Sequence, residues 1–295
     1  METKDLISKI RKIEIKARGL TKQVFAGEYH SAFKGQGMAF SEVREYQYGD
    51  SIRSIDWNVT ARFNKPFIKV FEEERELTVM LLIDVSGSNS FGTTTSLKKE
   101  YMTEVAAVLA FSAIQNNDKI GVIFFSDRIE KFIPPQKGKK HIMRIILELL
   151  NFEPKHTTTD VTEALRYFTK VIKKKATAFL LSDFIEPDVS MESLRDSLRL
   201  TNKKHDLVSL IIQDQGEYTL PDIGLAQVSD PETGKKRWVD TSSKKLRRSL
   251  ESWWSTRNDQ LKEAFMSSGV DFAVLNTSEE YVKPLIKLFQ KRGSR

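Results

Sequence analysis

The 295 residues carry 47 Lys and Arg against 40 Asp and Glu, a net charge of +7, with 40% hydrophobic residues, 18 Phe and 4 Trp. That apolar content supports a packed core and excludes global disorder. The absence of Cys excludes disulfides, thiolate metal sites and cysteine nucleophiles.

No run approaches the roughly 18 consecutive apolar residues of a membrane-spanning helix. Met1–Asp5 does not open a basic-then-apolar leader, so a cytoplasmic protein is expected. The basic excess is spread along the chain rather than gathered in the stripe that nucleic-acid binding needs.

In chain order, residues 1–30 read as a helical segment. Leu6, Ile7, Ile10, Ile13 and Ala17 recur at helical spacing with Lys and Arg between them. Residues 31–75 read as a small β-rich lobe, broken by Gly35, Gly37 and Gly49 and containing the alternating run Pro66–Phe71.

Residues 76–295 then alternate strand and helix. The strands are Leu77–Ile83, Ile120–Phe125, Ile129–Ile133, Ala178–Leu181, Leu207–Ile212 and Phe272–Leu275. Helical patterns lie between most of them, and a loop and short-strand excursion occupies 214–241. This rhythm predicts an α/β fold, with a mainly parallel central sheet flanked by helices. In such sheets the ligand sits at the carboxyl ends of the strands.

Oxygen-bearing residues fall at those ends. The first strand runs into Asp84-Val85-Ser86-Gly87-Ser88, and another ends at Ser182-Asp183. Thr157-Thr158-Thr159-Asp160 precedes a helix. Asp84, Ser86, Ser88, Thr159 and Asp183 form a set of hard oxygen donors with no nitrogen or sulfur. Such a set suits Mg²⁺, with Mn²⁺ or Ca²⁺ as alternatives. Ser86 and Ser88 also read as helix-capping or turn residues. Asp160, with Glu163 three residues on, reads first as a helix cap.

The Asp84–Ser88 motif with Thr159 and Asp183 resembles the metal-ion-dependent adhesion site of von Willebrand factor A domains. Upstream, Arg44-Glu45-Tyr46-Gln47-Tyr48-Gly49-Asp50, Arg53-Ser54-Ile55-Asp56-Trp57 and Ala61-Arg62 resemble the signature of domain-of-unknown-function family fifty-eight. That family is a bacterial von Willebrand factor A-like group. Leu220–Gly224 and Asp230–Gly234 fit it further on.

The resemblance implies a Rossmann-like von Willebrand factor A domain that binds a divalent cation and contacts a protein partner. The partner's acidic side chain would complete the metal's coordination. Members of the family are commonly found beside MoxR-type AAA+ ATPases, which implies an adaptor or partner role for such a chaperone. The family's Gly-Gly-Thr is Thr157-Thr158-Thr159 here, so Thr158 stands as the alternative to Thr159. Asn89 follows the motif where Met is usual.

Arg44, Asp50, Arg53, Asp56, Trp57 and Arg62 form a polar cluster. It reads either as a salt-bridge network of the lobe or as an interaction surface. No phosphate-binding loop, dinucleotide fingerprint or nucleophile elbow occurs, so no enzyme is expected. A metal-dependent hydrolase using Asp160 or His156 as base is the first alternative. Nucleic-acid binding through a basic surface is the second.

Overall fold

The structure, a computed structural model, describes residues 12–17, 19, 38–73, 77–90, 97–185, 190–229 and 236–294. Of the N-terminal segment expected to be helical, residues 12–17 fall within it and are helical. Apart from Gly19, which is also helical, the rest of that segment and Asp230–Gly234 lie outside the described residues. The chain divides into two compact units, Lys34–Leu77 and a larger one made of Met1–Phe33 and Thr78–Arg295.

In the small unit, β1 (Met38–Glu45) pairs antiparallel with β2 (Phe67–Glu73), with a register shift between Phe40 and Glu42. Between them lies a helix that the sequence pattern did not announce, α1 (Trp57–Phe63). Its apolar residues show no core-facing stripe. Local chemistry defines it instead. The Asp56 carboxylate caps its N-terminus by accepting from Asn58 N and Val59 N at 3.0 and 3.3 Å. Asn64 ends it in the left-handed conformation, φ 52°.

The large unit is built on six strands. They are β3 (Thr78–Asp84), β4 (Lys119–Phe125), β5 (Ile129–Gln136), β6 (Thr177–Ser182), β7 (Asp206–Gln213) and β10 (Asp271–Asn276). The sheet order is β10-β7-β6-β3-β4-β5, and every neighbouring pair is parallel except β4 with β5. Counted in chain order these strands run 3-2-1-4-5-6 across the sheet, the doubly wound Rossmann arrangement. The antiparallel β5 is an edge strand, and Pro134 and Pro135 sit there because an edge tolerates residues that donate no hydrogen bond.

Helices cover the sheet. They are α2 (Lys98–Gln115), α3 (Lys139–Asn151), α4 (Val161–Val171), α5 (Met191–Lys204), the single turn α6 (Gln215–Tyr218), α7 (Lys244–Ser267) and α8 (Val282–Gly293). The excursion expected at 214–241 contains α6 and a hairpin of β8 (Leu225–Ser229) with β9 (Lys236–Asp240).

Alternation along the strands divides the core. Met80 and Leu82 of β3 and Ala178 and Leu180 of β6 pack with Leu165 and Phe168 of α4, Leu198 of α5 and Phe265 of α7. Strands covered on both faces read as continuous apolar runs, as β3 and β6 do.

The β4–β5 register shifts at Gly121, between Ile120 and Val122. A Cβ there would meet Ile133 O, Met80 Sδ and Pro135 N, each at 2.8 Å. Two of those atoms are backbone, so the strand pair itself must give. Gly121→Ala is expected to lose on the order of 1–3 kcal/mol in urea unfolding. An unchanged midpoint would contradict this account of the β4–β5 packing.

Candidate metal centre

β3 and β6 are parallel neighbours at the point where the strand order reverses, and in such sheets the carboxyl ends of the strands at that point are where a ligand sits. β3 terminates there in Asp84. Val85 N continues the pairing to Phe125 O at 2.8 Å, which fixes where the loop leaves the sheet. The loop then folds on itself. Ser86 N donates to Asp84 Oδ1 at 2.9 Å, and the Ser86 and Ser88 hydroxyls stand 3.1 Å apart.

The end of β6 meets this loop directly. Ser182 Oγ donates to Asp84 Oδ2 at 2.6 Å and accepts from Phe184 N at 2.9 Å. Asp183 Oδ1 accepts from Ile185 N at 3.0 Å. This turn holds Phe184 at φ +56°, a conformation costly for an aromatic residue. The Phe184 ring packs edge-on against Phe265, and Arg257 donates to its carbonyl.

The third segment is tied to the same place. Gly87 N donates to Thr157 O at 2.8 Å, and Asp160 N to Ser126 O at 3.0 Å. Thr159 is buried, and its hydroxyl has no hydrogen-bond partner. Thr158 is exposed, with its hydroxyl beside Asp127. Asp160 caps α4 by accepting from Glu163 N at 2.9 Å and also accepts from the Thr162 hydroxyl. His156 Nδ1 lies 3.8 Å from Asp127.

Asp84, Ser86, Ser88, Thr159 and Asp183 are each more than nine-tenths buried. The sequence reading did not include two further groups. Lys98, the first residue of α2, has no exposed surface. Its Nζ donates to Asp183 Oδ2 at 2.9 Å and also to Glu217 Oε1. Glu217, in α6, reaches back to Asp214 N through its other oxygen at 3.0 Å. Lys98 is 85 residues from Asp183 and 119 from Glu217, so no local spacing announces the triad.

The electrostatics follow from burial. Desolvation, and then the neighbouring Asp183 charge, push Asp84 up to about 6 from 3.8, against the hydrogen bonds from Ser182 and Ser86. Burial works against the Lys98 ammonium, but Asp183 and Glu217 outweigh it and hold its pKa above the ordinary lysine value.

Among the described residues, no three His, Cys, Asp or Glu side chains gather as a metal-holding group. A cation here would depend on hydroxyls. The partnerless Thr159 hydroxyl and the facing Ser86 and Ser88 hydroxyls, beside ionisable Asp84, are the hard donors that Mg²⁺, Mn²⁺ or Ca²⁺ accepts. On these grounds the residues fit such an ion.

The polar cluster of the small unit is arranged differently. Arg44 grips Asp50 through two bonds of 2.8 and 2.9 Å, and Asp50 also accepts from Gln47 N at 2.8 Å. Asp56 caps α1 and lies 3.4 Å from Lys69. Arg44, Asp50 and Asp56 of the cluster therefore build a turn and a cap. Arg53, Trp57 and Arg62 are exposed.

A raised Asp84 pKa has a defined sign for stability. Between about pH 4 and 6 the folded state binds a proton that the unfolded state does not, so the Asp84 contribution improves as pH falls through 6. With metal chelated, Asp84→Asn keeps an acceptor for Ser86 N and removes the buried charge. It is expected to be more stable than wild type at pH 8 by on the order of 1–3 kcal/mol, at about 1.4 kcal/mol per pKa unit. The advantage should vanish by pH 4. A variant less stable than wild type at pH 8 would contradict this.

The chain is similar to the uncharacterised protein Rv1480 of Mycobacterium tuberculosis, 26% identical over 234 residues, covering 79% of this chain and 73% of that protein. Among solved structures it is similar to the conserved hypothetical protein BatB from Bacteroides thetaiotaomicron. That match has 13% identity and a TM-score of 0.47, covering 74% of this chain and all of that one. A von Willebrand factor type A protein from Catenulispora acidiphila is similar with 10% identity and a TM-score of 0.39, covering 77% of this chain and 43% of that one. Residues 42–260, about three quarters of the chain, match the family described as protein of unknown function DUF58, and the chain belongs to that family.

Proposed function

We propose that this chain is a divalent-cation-binding protein-interaction module. The observation that carries the reading is the meeting of Asp84, Ser86 and Ser88 with Ser182 and Asp183 where the strand order reverses, with a buried Thr159 hydroxyl that has no hydrogen-bond partner on the segment that Gly87 N holds through Thr157 O. Asp84, Ser86, Ser88 and Thr159 would hold the ion, with Asp183 as a nearby counter-charge.

The ion's contribution is that of a Lewis acid able to accept one more hard oxygen. The residues of the chain do the rest. Ser182 orients Asp84, Ser86 N fixes its other oxygen, and the Gly87–Thr157 bond keeps the two loops together. With neutral hydroxyls making up most of the set, an ion here keeps much of its charge. An acidic side chain of a partner protein is the ligand it would favour. In keeping with the family resemblance, that partner is proposed to be a MoxR-type AAA+ ATPase, with this chain as its adaptor.

The hydrolase alternative gains no support from the geometry. Asp160, one of its two candidate bases, is engaged in capping α4. Among the described residues no helix is long and apolar enough to cross a membrane.

Two measurements test the proposal. Saturating Mg²⁺ or Mn²⁺, at about 100 times its dissociation constant, should stabilise wild type by roughly 2.7 kcal/mol and leave Asp84→Ala unaffected. In pull-downs with a MoxR-type ATPase, binding should need the divalent ion and fail with Asp84→Ala. Retention of the ATPase by Asp84→Ala at wild-type level, or in excess chelator, would rule the mechanism out.

A further inference from the structure

We propose that Lys98 is a positioning residue that sets the divalent-ion affinity of this centre, by serving as its permanent internal counter-cation. The inference rests on reading the centre as a cation site and goes beyond it by assigning a residue outside the oxygen set.

The placement of Lys98 is unfavourable for the helix that carries it. It is the first residue of α2, where the aligned peptide dipoles present partial positive charge. It has no exposed surface, so its ammonium cannot reach water in compensation. A cation in that position needs a strong local reason, and Asp183 and Glu217 supply it. Nζ stands 2.9 Å from Asp183 Oδ2 and contacts Glu217 Oε1, while Ile185 N occupies Asp183 Oδ1.

The consequence falls on any ion at Asp84. Divalent affinity in oxygen sites is tuned by how many negative charges surround the ion. Asp183 is the second carboxylate of the set, and Lys98 already balances it. The ammonium also repels an incoming cation across a buried, weakly screening region. Affinity is thereby held low. An ion retained only weakly by the chain gains most from an added carboxylate, which ties occupancy to the arrival of an acidic partner.

Glu217 moderates the effect by sharing the ammonium. It lies in α6, at the start of the excursion that carries the β8–β9 hairpin, and its second oxygen is held by Asp214 N. A purely structural role for Lys98 predicts something different, namely lower stability on its removal with ion affinity unchanged.

The test is Mn²⁺ titration by calorimetry on the full chain, for wild type, Lys98→Met and Glu217→Gln, with melting temperatures measured in parallel. Lys98→Met should bind Mn²⁺ at least about tenfold tighter than wild type. Its melting temperature should fall without metal and rise more on Mn²⁺ addition than that of wild type. Glu217→Gln, which leaves the ammonium less neutralised, should bind roughly two- to fivefold more weakly.

Affinities in both variants within about twofold of wild type would overturn the role of Lys98 and leave the cation reading standing. If Lys98→Met does not fold, Glu217→Gln decides: weaker binding supports the proposal and unchanged binding overturns it. No Mn²⁺ binding by any of the three chains would overturn the cation reading itself. Tight binding that survives the addition of Asp84→Ala to Lys98→Met would place the ion elsewhere and overturn the proposal.

Discussion

Asp84 and Asp183 are both buried at the ends of adjacent parallel strands, where the Asp183 charge adds to the cost of ionising Asp84. Removing an ionised carboxylate from water is expensive unless it is paired or fully hydrogen-bonded. Much of the surrounding architecture meets that cost. Asp84 takes Ser86 N on one oxygen and Ser182 Oγ on the other. Asp183 takes Ile185 N and the Lys98 ammonium. The left-handed Phe184 gives the turn that brings these donors round, and its ring and carbonyl are held by Phe265 and Arg257.

The two acids are not equally provided for. Asp183 has a full positive charge against it, whereas Asp84 is pushed up to about 6. The remaining imbalance lies on the side of the hydroxyls, where Ser86 and Ser88 face each other. A divalent cation there would resolve it. With Asp183 already balanced by Lys98, such a site would favour exchange over permanent occupancy. A tightly closed cage would give a structural ion, while a weak one leaves room for a partner's carboxylate to decide whether the ion stays.

The fold was legible because it is written in periodicity. β3 and β6 are unbroken apolar runs ending in Asp84 and Ser182-Asp183, and α3 and α4 between them carry 3.6-residue stripes, whereas α2 is buried on nearly all sides. Short local motifs were legible too, as with Asp160 capping α4. The short α1 was hidden because its cap and its left-handed Asn64 define it, with no buried face to leave a stripe. Lys98 and Glu217 were hidden for another reason. Each looks like a solvated charge in its own helix, and only strand order brings them together across 119 residues. The one local signal for Lys98 is a basic residue where the dipole of α2 disfavours it. Ser182 stood beside Asp183 in the sequence, but its bond to Asp84 depends on the pairing of β6 with β3.

The central claim is that a hard cation binds among Asp84, Ser86, Ser88 and Thr159, and a crystal soaked in Mn²⁺ tests it most directly. The account predicts an anomalous difference peak bounded by those four side chains, absent from Asp84→Ala crystals soaked in the same way. A saturating soak that leaves this position empty, or that places the only ordered Mn²⁺ elsewhere on the chain, would contradict it.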